Sequence, residues 1–120
     1  ERLLYLQSNP GILSGWLHAG AQIQVTAPGL FGDWGSRASR HAWQLILNGQ
    51  ASVLATDAHD CRSRQPQLQK AAAAVSHKLG RHIADRLTIE NPSRIIQGQD
   101  MVPIFQSQSH QKSTPYERYC

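Results

Sequence analysis

Asp57 and His59 stand two positions apart, directly after the short apolar run 52–56 (SVLAT). An extended segment projects alternate side chains to the same side, so the two can converge on one ion. A carboxylate oxygen and an imidazole nitrogen are good ligands for manganese, iron or zinc. Asp-x-His by itself equally fits a loop aspartate capping a turn beside a solvated histidine. Its place after a buried strand favours the ligand reading, because parallel α/β folds put their chemistry at the C-terminal ends of strands. Arg62 and Arg64 follow within five residues. A guanidinium near a metal can hold a phosphate through two hydrogen bonds and neutralise its charge. On spacing alone, two solvated loop arginines are the plainer reading.

The surrounding elements are those needed to present such a turn. Asn9-Pro10 reads as a helix start, Ile12, Leu13, Trp16 and Leu17 keep helical spacing, and Gly20 stops a helix over about 10–19. The alternating, β-branched stretch 21–26 (AQIQVT) reads as a strand. The Gly- and Pro-containing stretch 27–35 reads as a loop. A second helix over 36–48 carries Ala38, Ala42, Leu45 and Ile46 on one face. The continuous apolar run 52–56 predicts a strand buried on both faces, and 57–65 a polar loop. Pro66 opens a third helix through Ala71, Val75 and Leu79, closed by Gly80. A fourth covers about 81–89, and Asn91-Pro92 breaks it and caps a short turn ending at Gly98. The order is α/β alternation, with parallel strands and helical crossovers. Two strands bury too little, which suggests one end of a larger domain.

Composition excludes several classes. The 120 residues are 40% hydrophobic and 17% charged, which fits neither a disordered tail nor a membrane protein. No apolar run approaches the roughly 20 residues of a spanning helix. No secretory leader is visible, though the N-terminus reads as truncated. The formal charge of +4 is scattered, without basic residues interleaved with aromatics, so no nucleic-acid partner is expected. Cys61 and Cys120 read as free thiols in a reducing cytoplasm. His18 reads as a helix C-terminal group, His41, His77 and His82 as solvated helix residues, and Trp16, Trp34 and Trp43 as core and rim packing.

Several segments together resemble the C-terminal half of the bacterial capsule-type protein-tyrosine phosphatases, within the polymerase-and-histidinol-phosphatase (PHP) superfamily. They are Glu1-Arg2, Asn9-Pro10, Gln24-Val25-Thr26-Ala27 running to Gly32 and Gly35, Ala55-Thr56-Asp57-Ala58-His59 with Arg64, and Glu90-Asn91-Pro92. The resemblance spans about residues 1–100. It implies the C-terminal part of a distorted (β/α)7 barrel over 1–106, followed by a flexible polar tail over 107–120. It implies metal-dependent hydrolysis of phosphotyrosine, on a cytoplasmic tyrosine kinase of polysaccharide (capsule or exopolysaccharide) export. Asp57 and His59 match metal ligands, with manganese expected and iron or zinc as alternatives. Arg64 and Arg2 match catalytic, phosphate-binding arginines.

There are departures from the family pattern. Its upstream His-x-His pair and other ligands do not occur in these 120 residues, so an incomplete site, inactive alone, is expected. Pro28 stands where the family more often has glycine or serine. A histidinol-phosphate-type phosphatase is the alternative enzyme, and a non-catalytic remnant that binds a partner is the alternative outside enzymes. The sequence leaves the oligomeric state open.

Overall fold

The computed structural model describes residues 8–105. The expected tail over 107–120, like Arg2, lies outside the described residues. Helix α1 (Pro10–His18) has proline in its first turn and His18 in its last. The His18 Nδ1 lies 2.8 Å from the Ser14 carbonyl oxygen and so bonds one of the carbonyls left open at the helix C-terminus. Strand β1 (Ile23–Thr26) and strand β2 (Ala51–Ala55) form a parallel two-stranded sheet, with Gln24 opposite Val53, Val25 opposite Leu54 and Thr26 opposite Ala55. The crossover between them is helix α3 (Ser36–Leu47), which buries the expected Ala38, Ala42, Leu45 and Ile46. Helix α4 (Leu68–Leu79) returns over the core through Ala71 and Val75. It begins two residues after Pro66. Val25, Leu45, Ile46, Leu54, Val75, Ile83 and Leu87 belong to one continuous hydrophobic cluster. The α/β class and the parallel pairing are therefore as expected.

Three expectations need correction. The stretch after β1 is not a loop throughout, because Ala27–Phe31 is a short helix, α2. Pro28 in its first turn and Gly32 just past its end, at φ 83°, are the proline-in, glycine-out punctuation of a helix. Ser39 Oγ donates to the Leu30 carbonyl at 3.0 Å and ties α2 to α3. Second, β2 is not buried on both faces: Ala51 and Leu54 are buried, while Ser52, Val53 and Ala55 are half-buried. Only one neighbouring strand covers it among the described residues.

Third, Asn91-Pro92 does not break the fourth helix. Helix α5 (Arg81–Asp85) runs through a π-helical turn (Arg86–Glu90) into helix α6 (Asn91–Ile96), with helical dihedrals at Arg86, Glu90 and Asn91. Pro92 has no N–H to donate and its ring would press on the carbonyl four residues back. The wider π turn lets the chain pass that point and remain helical. Asn91 is fully buried rather than a cap. Its Nδ2 donates to the carbonyls of Ser52 (2.8 Å) and Val102 (3.0 Å), and its Oδ1 accepts from the Val102 N–H (2.9 Å). Arg86 Nη1 donates to the Pro103 carbonyl at 2.8 Å, and Ile104 is buried. The segment after Gln99, patternless in sequence, is thus held by side chains rather than by a ladder.

Replacing Asn91 with alanine would leave the partly buried carbonyls of Ser52 and Val102 and the Val102 N–H without their side-chain partner. The expected loss is about 2–4 kcal/mol of unfolding free energy, read from the urea midpoint at unchanged slope. Asn91→Asp should cost a similar amount, because a carboxylate can accept from Val102 but cannot donate to either carbonyl.

Candidate metal and phosphate site

Because β1 and β2 are parallel and in register at Thr26 and Ala55, their C-terminal ends lie side by side. Beyond β1 the chain enters α2 and the Gly32–Gly35 turn. Beyond β2 it reaches Asp57. The site therefore forms where parallel strands end, as it does in parallel α/β folds generally.

Asp57 has φ 54°, the left-handed region that aspartate tolerates better than most residues. The Ala58 N–H donates to Thr56 Oγ1 at 3.3 Å, and the chain turns sharply off the strand. The following loop closes where the His59 N–H donates to the Arg64 carbonyl at 3.1 Å. This fold-back returns Arg64 to Asp57, and Arg64 Nη2 donates to Asp57 Oδ2. The other carboxylate oxygen, Oδ1, lies 3.5 Å from His59 Nε2. Asp57 is 24% exposed and Arg64 37%, so the pair is partly shielded from water, while His59 at 57% is open to it. The structure thus brings together Asp57, His59 and Arg64. Arg62 is exposed and takes no part in the cluster.

The donor pair fits a divalent metal as part of a larger set. Two ligands at metal-bond length in tetrahedral geometry stand about 3.4 Å apart, close to the observed Oδ1 to Nε2 separation. Among the described residues no group of three or more His, Cys, Asp or Glu side chains converges. Asp57 and His59 could hold an ion only with ligands from elsewhere.

Sequence reasoning missed Asp60, which shapes this loop. Its Oδ1 accepts from the N–H groups of Arg62 (2.7 Å), Ser63 (2.6 Å) and Arg64 (3.2 Å), and its Oδ2 from the Ser63 hydroxyl (2.6 Å). The readable signal was an aspartate with serine three residues on, the pattern of a side chain that replaces a backbone turn. The Ser63 hydroxyl first, then the backbone N–H groups, hold the Asp60 carboxyl well below the usual carboxylate range. Because the folded value is depressed, the loop gains stability above the ordinary value of 3.8 and loses it as pH falls through the lowered one. Asp60 is committed to the backbone and is not a third metal ligand.

Asp60→Ala should therefore loosen the loop without unfolding the protein. The expected result is a drop of about tenfold or more in amide-exchange protection at Arg62, Ser63 and Arg64, with the global unfolding midpoint nearly unchanged. Unaltered protection at those amides would contradict the role assigned to Asp60.

The chain is 26% identical over 99 residues to the tyrosine-protein phosphatase YwqE of Bacillus subtilis (strain 168), covering 82% of this chain and 39% of that protein. Its fold matches a crystal structure reported for YwqE from Bacillus subtilis and CpsB from Streptococcus pneumoniae, described as unique metal-dependent tyrosine phosphatases. The TM-score is 0.75 at 23% identity, over 82% of this chain and 40% of that one. The chain spans about two fifths of the length of these relatives. The family described as capsular polysaccharide synthesis, CpsB/CapC, matches residues 1–97. The resemblance read from the segments between Glu1 and Pro92 is therefore borne out, and the chain belongs to the CpsB/CapC family.

Proposed function

We propose that this chain supplies the C-terminal part of a metal-dependent protein-tyrosine phosphatase. The observation that carries this reading is the cluster of Asp57, His59 and Arg64 at the C-terminal end of β2. Residues 1–106 are read as the closing portion of a (β/α)7 PHP-type barrel, and 107–120 as its tail. The remaining metal ligands would come from the part of the relatives that this chain does not cover.

Asp57 Oδ1 and His59 Nε2 would hold the ion, with manganese preferred and iron or zinc as alternatives. When bound, a divalent metal supplies Lewis acidity toward the phosphate oxygens and lowers the pKa of water. Arg64 has a double part. Through Nη2 it orients the Asp57 carboxylate, and its remaining N–H donors can bind phosphate oxygens and offset charge that develops on them. Arg2 is assigned to the same phosphate on family resemblance. The substrate would be a phosphotyrosine on a cytoplasmic kinase of polysaccharide export. No helix among the described residues is long and apolar enough to cross a membrane.

With two ligands in hand, the chain alone should bind manganese weakly and turn over little. Titration with Mn2+ should broaden the amide resonances of Ala58 and His59 first. Asp57→Ala and His59→Ala should each weaken that binding by about tenfold or more. Broadening that persists in both variants would sink the ligand assignment. Any residual hydrolysis should favour a phosphotyrosyl peptide, and a strong preference for histidinol phosphate would transfer the chain to the alternative enzyme.

A further inference from the structure

A cavity of about 150 Å³ opens beside the metal and phosphate cluster, between α2 and the loop that follows β2. Pro28, Phe31 and Trp34 line one side, and Arg64, Gln65 and Gln67 the other. An apolar cavity of that size accepts a benzene ring. This one combines two aromatic side chains with the guanidinium that also contacts Asp57. A guanidinium offers five N–H donors, and Nη2 makes the contact with Asp57.

The chemistry that fills such a space is an aromatic phosphate monoester. Its ring would pack edge-on or offset against Phe31 and Trp34, while its phosphate reached Arg64. An aliphatic phosphate ester, such as phosphoserine, could use the arginine but would leave the rings uncovered. Lys70 Nζ lies 4.4 Å from the centroid of the Phe31 ring. That cation–π contact steadies the ring and adds positive charge near the cavity. Among the described residues the lining holds one acidic side chain, Asp33, and one basic side chain, Arg64.

We propose that this cavity is the ring-binding subsite that selects phosphotyrosine over phosphoserine, with Phe31 and Trp34 as its specificity-determining residues. The inference rests on the reading of Arg64 as a phosphate-binding group. It adds a reason for the choice of ester that the metal ligands and Arg64 do not provide. Pro28, which departs from the residues more usual in the family, is part of the same wall. Its ring replaces the flexible backbone of a glycine with a rigid apolar surface.

Calorimetry on the intact chain with N-acetyl-phosphotyrosine amide, N-acetyl-phosphoserine amide and inorganic phosphate tests this directly. Phosphotyrosine should bind about tenfold tighter than phosphoserine, a difference of about 1.4 kcal/mol. Phe31→Leu and Trp34→Leu should each reduce that ratio to less than about threefold, and Trp34→Phe, which restores a ring, should recover most of it. Circular dichroism checks that each variant is folded. For the unsubstituted chain, phosphotyrosine should shift the Trp34 indole resonance and phosphoserine should not, a measurement that needs no variant. Equal affinity for the two esters, no measurable phosphotyrosine binding, an unmoved indole resonance, or a preference that survives both leucine variants overturns the proposal. If phosphoserine and inorganic phosphate still bind in a way that Arg64→Ala removes, the phosphate site stands and only the ring subsite fails. If Arg64→Ala leaves every ligand unaffected, the phosphate site itself fails.

Discussion

Two parallel strands make a marginal sheet, and the buried side chain of Asn91 supplies what the ladder lacks. Its amide joins β2, through the Ser52 carbonyl, to the C-terminal segment at Val102. The strand that delivers Asp57 is therefore held by β1 and also by a helix reached thirty-nine residues later in the chain. Asn91 itself is fully buried and its partners are partly so, so leaving one of these bonds unmade costs part of the desolvation of both groups. The π-helical turn before Asn91 belongs to the same arrangement. It carries the helix past Pro92 without a break, so Asn91 stays on a rigid element.

The loop after β2 divides its work between two aspartates three positions apart. Asp60 spends its carboxylate on backbone N–H groups and the Ser63 hydroxyl, and so builds the turn. Asp57 has Arg64 on one carboxylate oxygen and His59 near the other. The first makes the second useful, because the Asp60-centred turn is what folds Arg64 back toward the strand end. A partly shielded carboxylate with an arginine and an imidazole around it is suited to a cation and an anion at once. That combination matches what a metal-assisted phosphatase must hold.

The boundary of the described fold also carries information. Ile89, Ile95 and Ile96 are exposed, Ile96 at 86%, on the helical run whose other side is packed into the core. Val53 and Ala55 of β2 are only half-buried. Such surfaces fit a chain that spans about two fifths of its relatives' length. The aromatic cavity next to Arg64, by contrast, is lined among the described residues by α2, its following turn and the loop after β2.

Local chemistry made much of this readable in advance. The face of α3 followed from helical spacing at Ala38, Ala42, Leu45 and Ile46, β1 from its alternating, β-branched residues, and β2 from its continuous apolar run. Asp57 and His59 were visible as a candidate pair because a carboxylate and an imidazole stood two residues apart after a strand. The loop expected over 27–35 contained a helix whose Pro28 and Gly32 signals were legible but short. Asn91-Pro92 misled for a physical reason: a proline forbids one hydrogen bond, not a helix, and only packing could decide that a π turn would absorb it. Likewise no spacing rule could set Arg64 rather than Arg62 against Asp57, since both follow Asp57 and His59 closely. The sequence by itself determined the α/β order and the family. The tertiary structure decided which side chains meet, because those meetings depend on contacts such as Asn91 to Ser52 and Arg64 to Asp57, whose geometry is set by the folded chain as a whole.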